Sequence, residues 1–204
     1  MLSLRAVFLA CFVLTPIATF AQSAALPNGL SFPLNGTVFA LDGSANGKAL
    51  QQLHPSEIVS NSHAASNFAR SMVYSGPRAS VELAGLNAAV HLNSDKGSFF
   101  VRLGGDDPEL LRGRVALIRL TQTTNRRVVS TFSQNIFGGQ RTRKYDIVAV
   151  TKTDVPDSNW LKLTPDVALT PGEYGIVFMP KDPAFIPDSV YDFDVAIDAA
   201  KPER

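Results

Sequence analysis

Downstream of Ala79 the chain alternates apolar and polar residues in short runs, each closed by glycine, proline, asparagine or aspartate. The segment 190–198, VYDFDVAID, has the cleanest period of two. Tyr191, Phe193, Val195 and Ile197 fall on one face, and Asp192, Asp194, Ala196 and Asp198 on the other. This predicts a strand with one dry and one wet face. ASVEL and AAVHL flank a glycine-containing turn, and SFFVRL follows. RVALIRLTQ and RRVVSTFSQ face each other across TTN as a hairpin, and FGGQ makes the next tight turn. KYDIVAVTK sets Tyr145, Ile147 and Ala149 against Asp146, Val148 and Val150, and WLKLT and EYGIVFM continue the series. Asp106-Asp107-Pro108-Glu109 predicts one helical turn at most, a capping acid followed by proline at the first position. About seven to nine short strands without a long helix predict an all-β fold, an immunoglobulin-like antiparallel β-sandwich over residues 76–200.

The stretch LTPGEYGIVF at 169–178 sharpens that expectation. Pro171 fixes φ and Gly172 accepts positive φ, so the pair sets a turn. Glu173 reads as an exposed turn residue. Tyr174 then enters a strand, where its ring can fill the end of the core and its hydroxyl can reach back to backbone left unpaired between sheets. That is the logic of a tyrosine corner.

Upstream, GTVFALDG and KALQQL predict a small β-hairpin over 36–53, around a Gly/Asn-rich turn. Residues 54–75 are rich in Ser, Asn and Ala and read as a polar connection. Ala64, Phe68 and Met72, spaced by four, allow a short helix behind a Ser62 cap. Residues 22–35 read as a linker. Residues 1–21 carry Arg5, an uncharged apolar core, and small residues Thr19 and Ala21 at the −3 and −1 positions before Gln22. This predicts a secretory signal cleaved after Ala21, and hence a secreted or periplasmic protein. The apolar core, interrupted by Pro16, is shorter than the ~20 residues of a bilayer-spanning helix, so no membrane insertion is expected once the signal is removed.

From 75 to 197, and more weakly over the hairpin, the chain resembles a group of exported bacterial proteins of unassigned function. The resemblance is carried by ALIRLTQTTNRRVVSTFSQNIFGG, LTPGEYGIVF and the terminal VYDFDV. It implies a sandwich and export, and it implies no catalytic residues.

Composition narrows the chemistry. Cys11 is the only cysteine and lies inside the apolar core of the signal, so the mature chain is expected to lack disulfides, a thiol nucleophile and thiolate metal sites. Without the signal, 18 basic residues balance 18 acidic ones, and nothing asks for nucleic acid. His54, His63 and His91 are the only histidines and none has a partner at metal-ligand spacing, so no metal or other cofactor is expected. No Gly-x-Ser-x-Gly elbow or phosphate-cradling loop is present. Asp192, Asp194 and Asp198 on one strand face fit a solvated face better than a calcium site.

Charge is unevenly placed. Residues 110–145 hold eight basic and no acidic residues, whereas 146–204 hold 11 acidic and five basic ones. Either basic strands pair with acidic strands, which is the favoured account, or Arg126, Arg127, Arg141, Arg143 and Lys144 gather at one end and meet an anionic partner. Trp160, the only tryptophan, is a candidate carbohydrate-stacking residue, with strand-start packing as the favoured alternative. The expected function is a non-enzymatic module acting by contact with an envelope or extracellular protein. The alternative is a sandwich that binds a glycan or anionic polymer through loop residues.

Overall fold

The computed structural model describes residues 32–33, 35–43, 50–61, 78–104, 107–133, 142–182 and 185–196. The expected signal, most of the linker, the helix through Ala64, Phe68 and Met72, the FGGQ turn, Arg141 and Asp198 lie outside them.

In chain order the first strands are β1 (Val38–Leu41), β2 (Leu50–Leu53), β3 (Pro55–Ser56), β4 (Ile58–Asn61), β5 (Arg78–Ala84), β6 (His91–Leu92) and β7 (Ser98–Arg102). A helix α1 (Pro108–Arg114) precedes β8 (Val115–Arg119), β9 (Thr121–Gln122), β10 (Arg126–Ser133) and β11 (Thr142–Lys144). The chain ends with β12 (Asp146–Val148), β13 (Val150–Asp154), β14 (Trp160–Pro165), β15 (Gly172–Phe178) and β16 (Val190–Val195). The fold is an all-β sandwich.

Three sheets stack in layers. The first runs β13-β14-β7-β1-β2 and the third β11-β10-β5-β4, with β9 on β10. Between them lies β12-β8-β15-β16-β3, with β6 added in parallel to β16. One core fills the space between the first and central sheets, from Val38, Phe99, Val101, Leu161 and Leu163 on one side to Leu117, Tyr174, Ile176, Phe193 and Val195 on the other. A second core joins Val81, Leu83 and Val129 of the third sheet to Ile118, Val177 and Val190 of the central one. The central sheet is therefore covered on both faces, and β15 is buried without a break from Glu173 to Val177. A strand in that position has no wet face to keep polar, which accounts for the GIVF run.

Several segments differ from the pattern-based expectation, and most for this one reason. RVALIRLTQ is two strands: β8 belongs to the central sheet, the chain crosses to the third sheet at Leu120, and only β9 forms the hairpin with β10. KYDIVAVTK is broken twice. Tyr145 carries the chain from β11 in the third sheet to β12 in the central one, and Ala149 carries it on to β13 in the first. The face assignment reverses with it: Val148 and Val150 pack on the first core, while Ile147 is 61% exposed. Asp192, expected on a wet face, is 5% exposed because the third sheet covers that face. Residues 55–61 are not a loop but the edge strands β3 and β4, paired with β16 and β5. The hairpin β1–β2 forms, with Val38 opposite Leu53 and Leu41 opposite Leu50, and β1 joins it to β7 in the first sheet. Helix α1 runs two turns, longer than expected. Asp107 caps it by accepting from the Leu110 amide at 2.9 Å, and half-buried Leu111 packs against the first core, so packing extends what the cap begins.

Candidate functional site

Between the central and third sheets, Arg127 of β10 meets Glu173 of β15 and Asp192 of β16 in a buried ionic cluster, each residue 5% exposed or less. Period-two geometry places them. Glu173 lies opposite Asp194, and Asp192 lies opposite Gly175, so the two strands turn their carboxylates to the same face. Arg127 Nη1 donates to Glu173 Oε2 at 3.0 Å and also to Asp192 Oδ2. Its remaining nitrogens reach backbone, Nε to the Gly85 carbonyl at 3.3 Å and Nη2 to the Ala84 carbonyl at 3.2 Å. Ser56 donates to Asp192, and the Ala88 amide donates to Glu173 Oε2 at 3.1 Å. One guanidinium thus serves two carboxylates. Burial pushes the Glu173 carboxyl above the usual carboxylate range, and Arg127 pulls against that shift. At the margin of the cluster, His91 Nδ1 contacts Asp194 Oδ1.

The cluster decides the fate of the arginines singled out above. Arg127 is 2% exposed and paired, so it does not reach an external partner. Arg126 pairs with Glu82 at 3.3 Å. The charge imbalance between 110–145 and the rest of the chain is spent at these two positions on pairing across sheets and strands. Arg143 donates to the Phe185 carbonyl and lies 5.8 Å from the centre of the Phe132 ring. Lys144, by contrast, is exposed.

Trp160 is 4% exposed and stacks on Phe32 with ring centres 4.1 Å apart, in an aromatic cluster with Phe39, Phe100 and Val155 on the outer face of the first sheet. Covered in this way it is a packing residue, with no face open to a sugar. Gly172 has φ +147°, inside the region that favours glycine, and Pro171 offers its carbonyl to Arg119 Nη2 at 3.3 Å. The Tyr174 hydroxyl donates to the Thr170 carbonyl at 2.7 Å, and its ring stacks on Phe193 at 5.6 Å. Glu173, expected at the surface, is buried in the ionic cluster.

A cleft of about 290 Å³ opens where the chain crosses between the central and third sheets. Arg119 and Thr121 bracket the crossing at Leu120, and Lys144 and Asp146 bracket the crossing at Tyr145. The 128–131 stretch of β10 completes the lining. In the sequence Tyr145 reads only as an apolar strand-face residue and Ser130 carries no signal, since an isolated serine or tyrosine in a strand pattern has no chemical signature.

Among the described residues no group of three or more His, Cys, Asp or Glu side chains is placed to hold a metal ion. His54 is exposed and His63 lies outside the described residues. No known family model, no curated protein and no solved structure matches the chain.

Proposed function

We propose that the protein is exported and acts without catalysis, as an immunoglobulin-like β-sandwich module that contacts a protein of the cell envelope or extracellular space. The observation that carries this reading is how the side chains with chemical potential are used. Arg127, Glu173 and Asp192 brace two sheets, Trp160 packs under Phe32, and Tyr174 ties its strand to Thr170. What remains for function is surface. Adjacent Phe185 and Ile186, 65% and 42% exposed, offer apolar area of the kind that protein contacts cover. The apolar run and small-residue site in residues 1–21 support export.

Fractionating the native host and sequencing the N-terminus of the protein tests export: a chain outside the cytoplasm beginning at Gln22 is expected, and an uncleaved cytoplasmic chain would refute it. A photo-crosslinker at Phe185 tests contact. One discrete adduct, abolished by Ile186→Ser, is expected, and a crosslinking pattern identical to that of a probe at exposed Glu57 argues against it. The cleft beside Lys144 favours a second reading, binding of a glycan or anionic polymer by residues other than Trp160 and Arg127.

A further inference from the structure

The stretch of β10 that floors the cleft is irregular in a way that serves the cleft and nothing else described. β10 pairs with β5 in register Val128 to Glu82 and then Ser130 to Val81, so Val129 is an extra residue, a bulge. Without it, strict alternation from buried Arg127 and Val129 would turn Ser130 outward. With it, Ser130 faces inward opposite Val81 and is 3% exposed. On its other edge β10 is met by β9 only at Arg127 and Val128, and by β11 only from Thr131 onward. Val129 and Ser130 therefore lie in a gap between two neighbouring strands. A bulge costs ladder hydrogen bonds, and here it delivers a serine hydroxyl into a gap.

That hydroxyl has no partner among the described residues. Ser130 Oγ and the Tyr145 hydroxyl are both buried, both belong to cleft-lining residues, and neither makes a hydrogen bond among the described residues. Buried hydroxyls left unsatisfied are rare in folded proteins because each one forfeits its hydration. Thr121 and Thr131 add two exposed hydroxyls to the lining, and Val128 and Val129 add apolar wall. Lys144 lines the cleft, exposed and without an ion pair among the described residues, and the lining holds two cations, Arg119 and Lys144, against one carboxylate, Asp146. Arg119 already leans toward the Pro171 carbonyl and the Tyr174 ring, so Lys144 is the charge left for a ligand.

We propose that this cleft between the Leu120 and Tyr145 crossings is a binding site for a small hydroxylated anion, a sugar acid or sugar phosphate. Ser130 and Tyr145 would hydrogen-bond its hydroxyls and Lys144 would take its charge. The volume lies at the lower end of the range for small-molecule sites, which suits one sugar ring and no more. This narrows the second reading of the cleft to one sugar unit and stands independently of the protein-contact reading, since the cleft and the Phe185–Ile186 surface are probed by different variants.

The test is titration of the isotope-labelled purified protein with glucuronate, glycerol phosphate and neutral glucose, followed by amide chemical shifts and calorimetry. Saturable shifts centred on 129–131 and 144–146 are expected for at least one anion, with glucose weaker by about tenfold or more. Preference for the carboxylate or for the phosphate identifies which anion the site takes. Lys144→Met, at an exposed position, is expected to weaken the anion by about tenfold while leaving the melting temperature unchanged, and Ser130→Ala to weaken it by several-fold. No saturation by either anion at millimolar concentration would overturn the proposal. So would anion binding that survives Lys144→Met and Ser130→Ala, or glucose binding as tightly as the anions.

Discussion

Arg127 brings one positive charge to a pair of buried carboxylates, and that shortage has measurable consequences. Removing the arginine would leave Glu173 and Asp192 facing each other without compensation. Arg127→Met is expected to cost about 3–5 kcal/mol in a urea unfolding experiment. Replacing Arg127, Glu173 and Asp192 together with apolar residues of similar volume should cost much less, because no stranded charge remains. Glu173 adds a pH dependence. Its carboxyl sits above the usual range because burial disfavours its charge, so the folded chain holds that proton more tightly than the unfolded chain. Its contribution is therefore greatest in acid and is lost as pH rises from the ordinary carboxylate value, about 4.3, through its own raised value. Melting curves of the wild type and of Glu173→Gln over that window should show the wild type losing stability relative to the variant as pH increases. A constant difference would mean that the site is not desolvated. Tyr174 ties its strand to Thr170 through its hydroxyl, which donates to the Thr170 carbonyl and also lies 3.3 Å from the Thr170 hydroxyl. Tyr174→Phe should lower stability by about 1 kcal/mol, through loss of the hydrogen bond that the buried tyrosine makes to exposed Thr170, while leaving ligand and partner binding intact.

At the scale of elements, the ionic cluster depends on a glycine. A Cβ on Gly175 of β15 would come within 2.8 Å of Val190 Cγ1 on the neighbouring strand. Gly175→Ala is thus expected to push β16 away and cost about 1–3 kcal/mol, read as a lowered denaturation midpoint. Strands that belong to one sheet throughout, such as β1, β7, β14 and β16, were legible from alternation and bounding turn residues. Residues at the sheet changes were not. Leu120 and Tyr145 continue an apolar-polar rhythm, Ala149 sits inside the apolar run 147–150, and nothing in either local pattern says that hydrogen bonding passes to a different sheet there. The short edge strands β3 and β4 have a Ser, Asn and Pro composition that favours loops, and only pairing with β16 and β5 makes them strands. The ionic cluster was half legible. The opposed basic and acidic halves of the chain point to pairing between strands, but Glu173, between a Pro-Gly turn and a continuous apolar run, carries the pattern of an exposed turn residue. The bulge at Val129 left no trace in composition, so the hydroxyl-lined cleft had to come from the structure.

At the scale of the molecule, three layers share one middle. The central sheet gathers β3, β6, β8, β12, β15 and β16, strands whose residues run from Pro55 to Val195. β16 lies inside it, between β15 and β3, and supplies Val190 to the core on one face and Phe193 and Val195 to the core on the other. Such non-local pairing makes folding slow, because long loops must close before contacts reward them. It also sets the order of events as the chain emerges. A chain that stops before residue 190 lacks the strand that joins β15 to β3, and it leaves both cores without the side chains β16 supplies. A chain ending at Asp188 is expected to show no cooperative melting, whereas a partly stable shorter chain would mean that the first sheet and its core fold alone. If the protein is exported as we propose, late closure keeps the chain threadable during the time it must pass a membrane pore, with its last strand acting as the latch that releases folding on the far side.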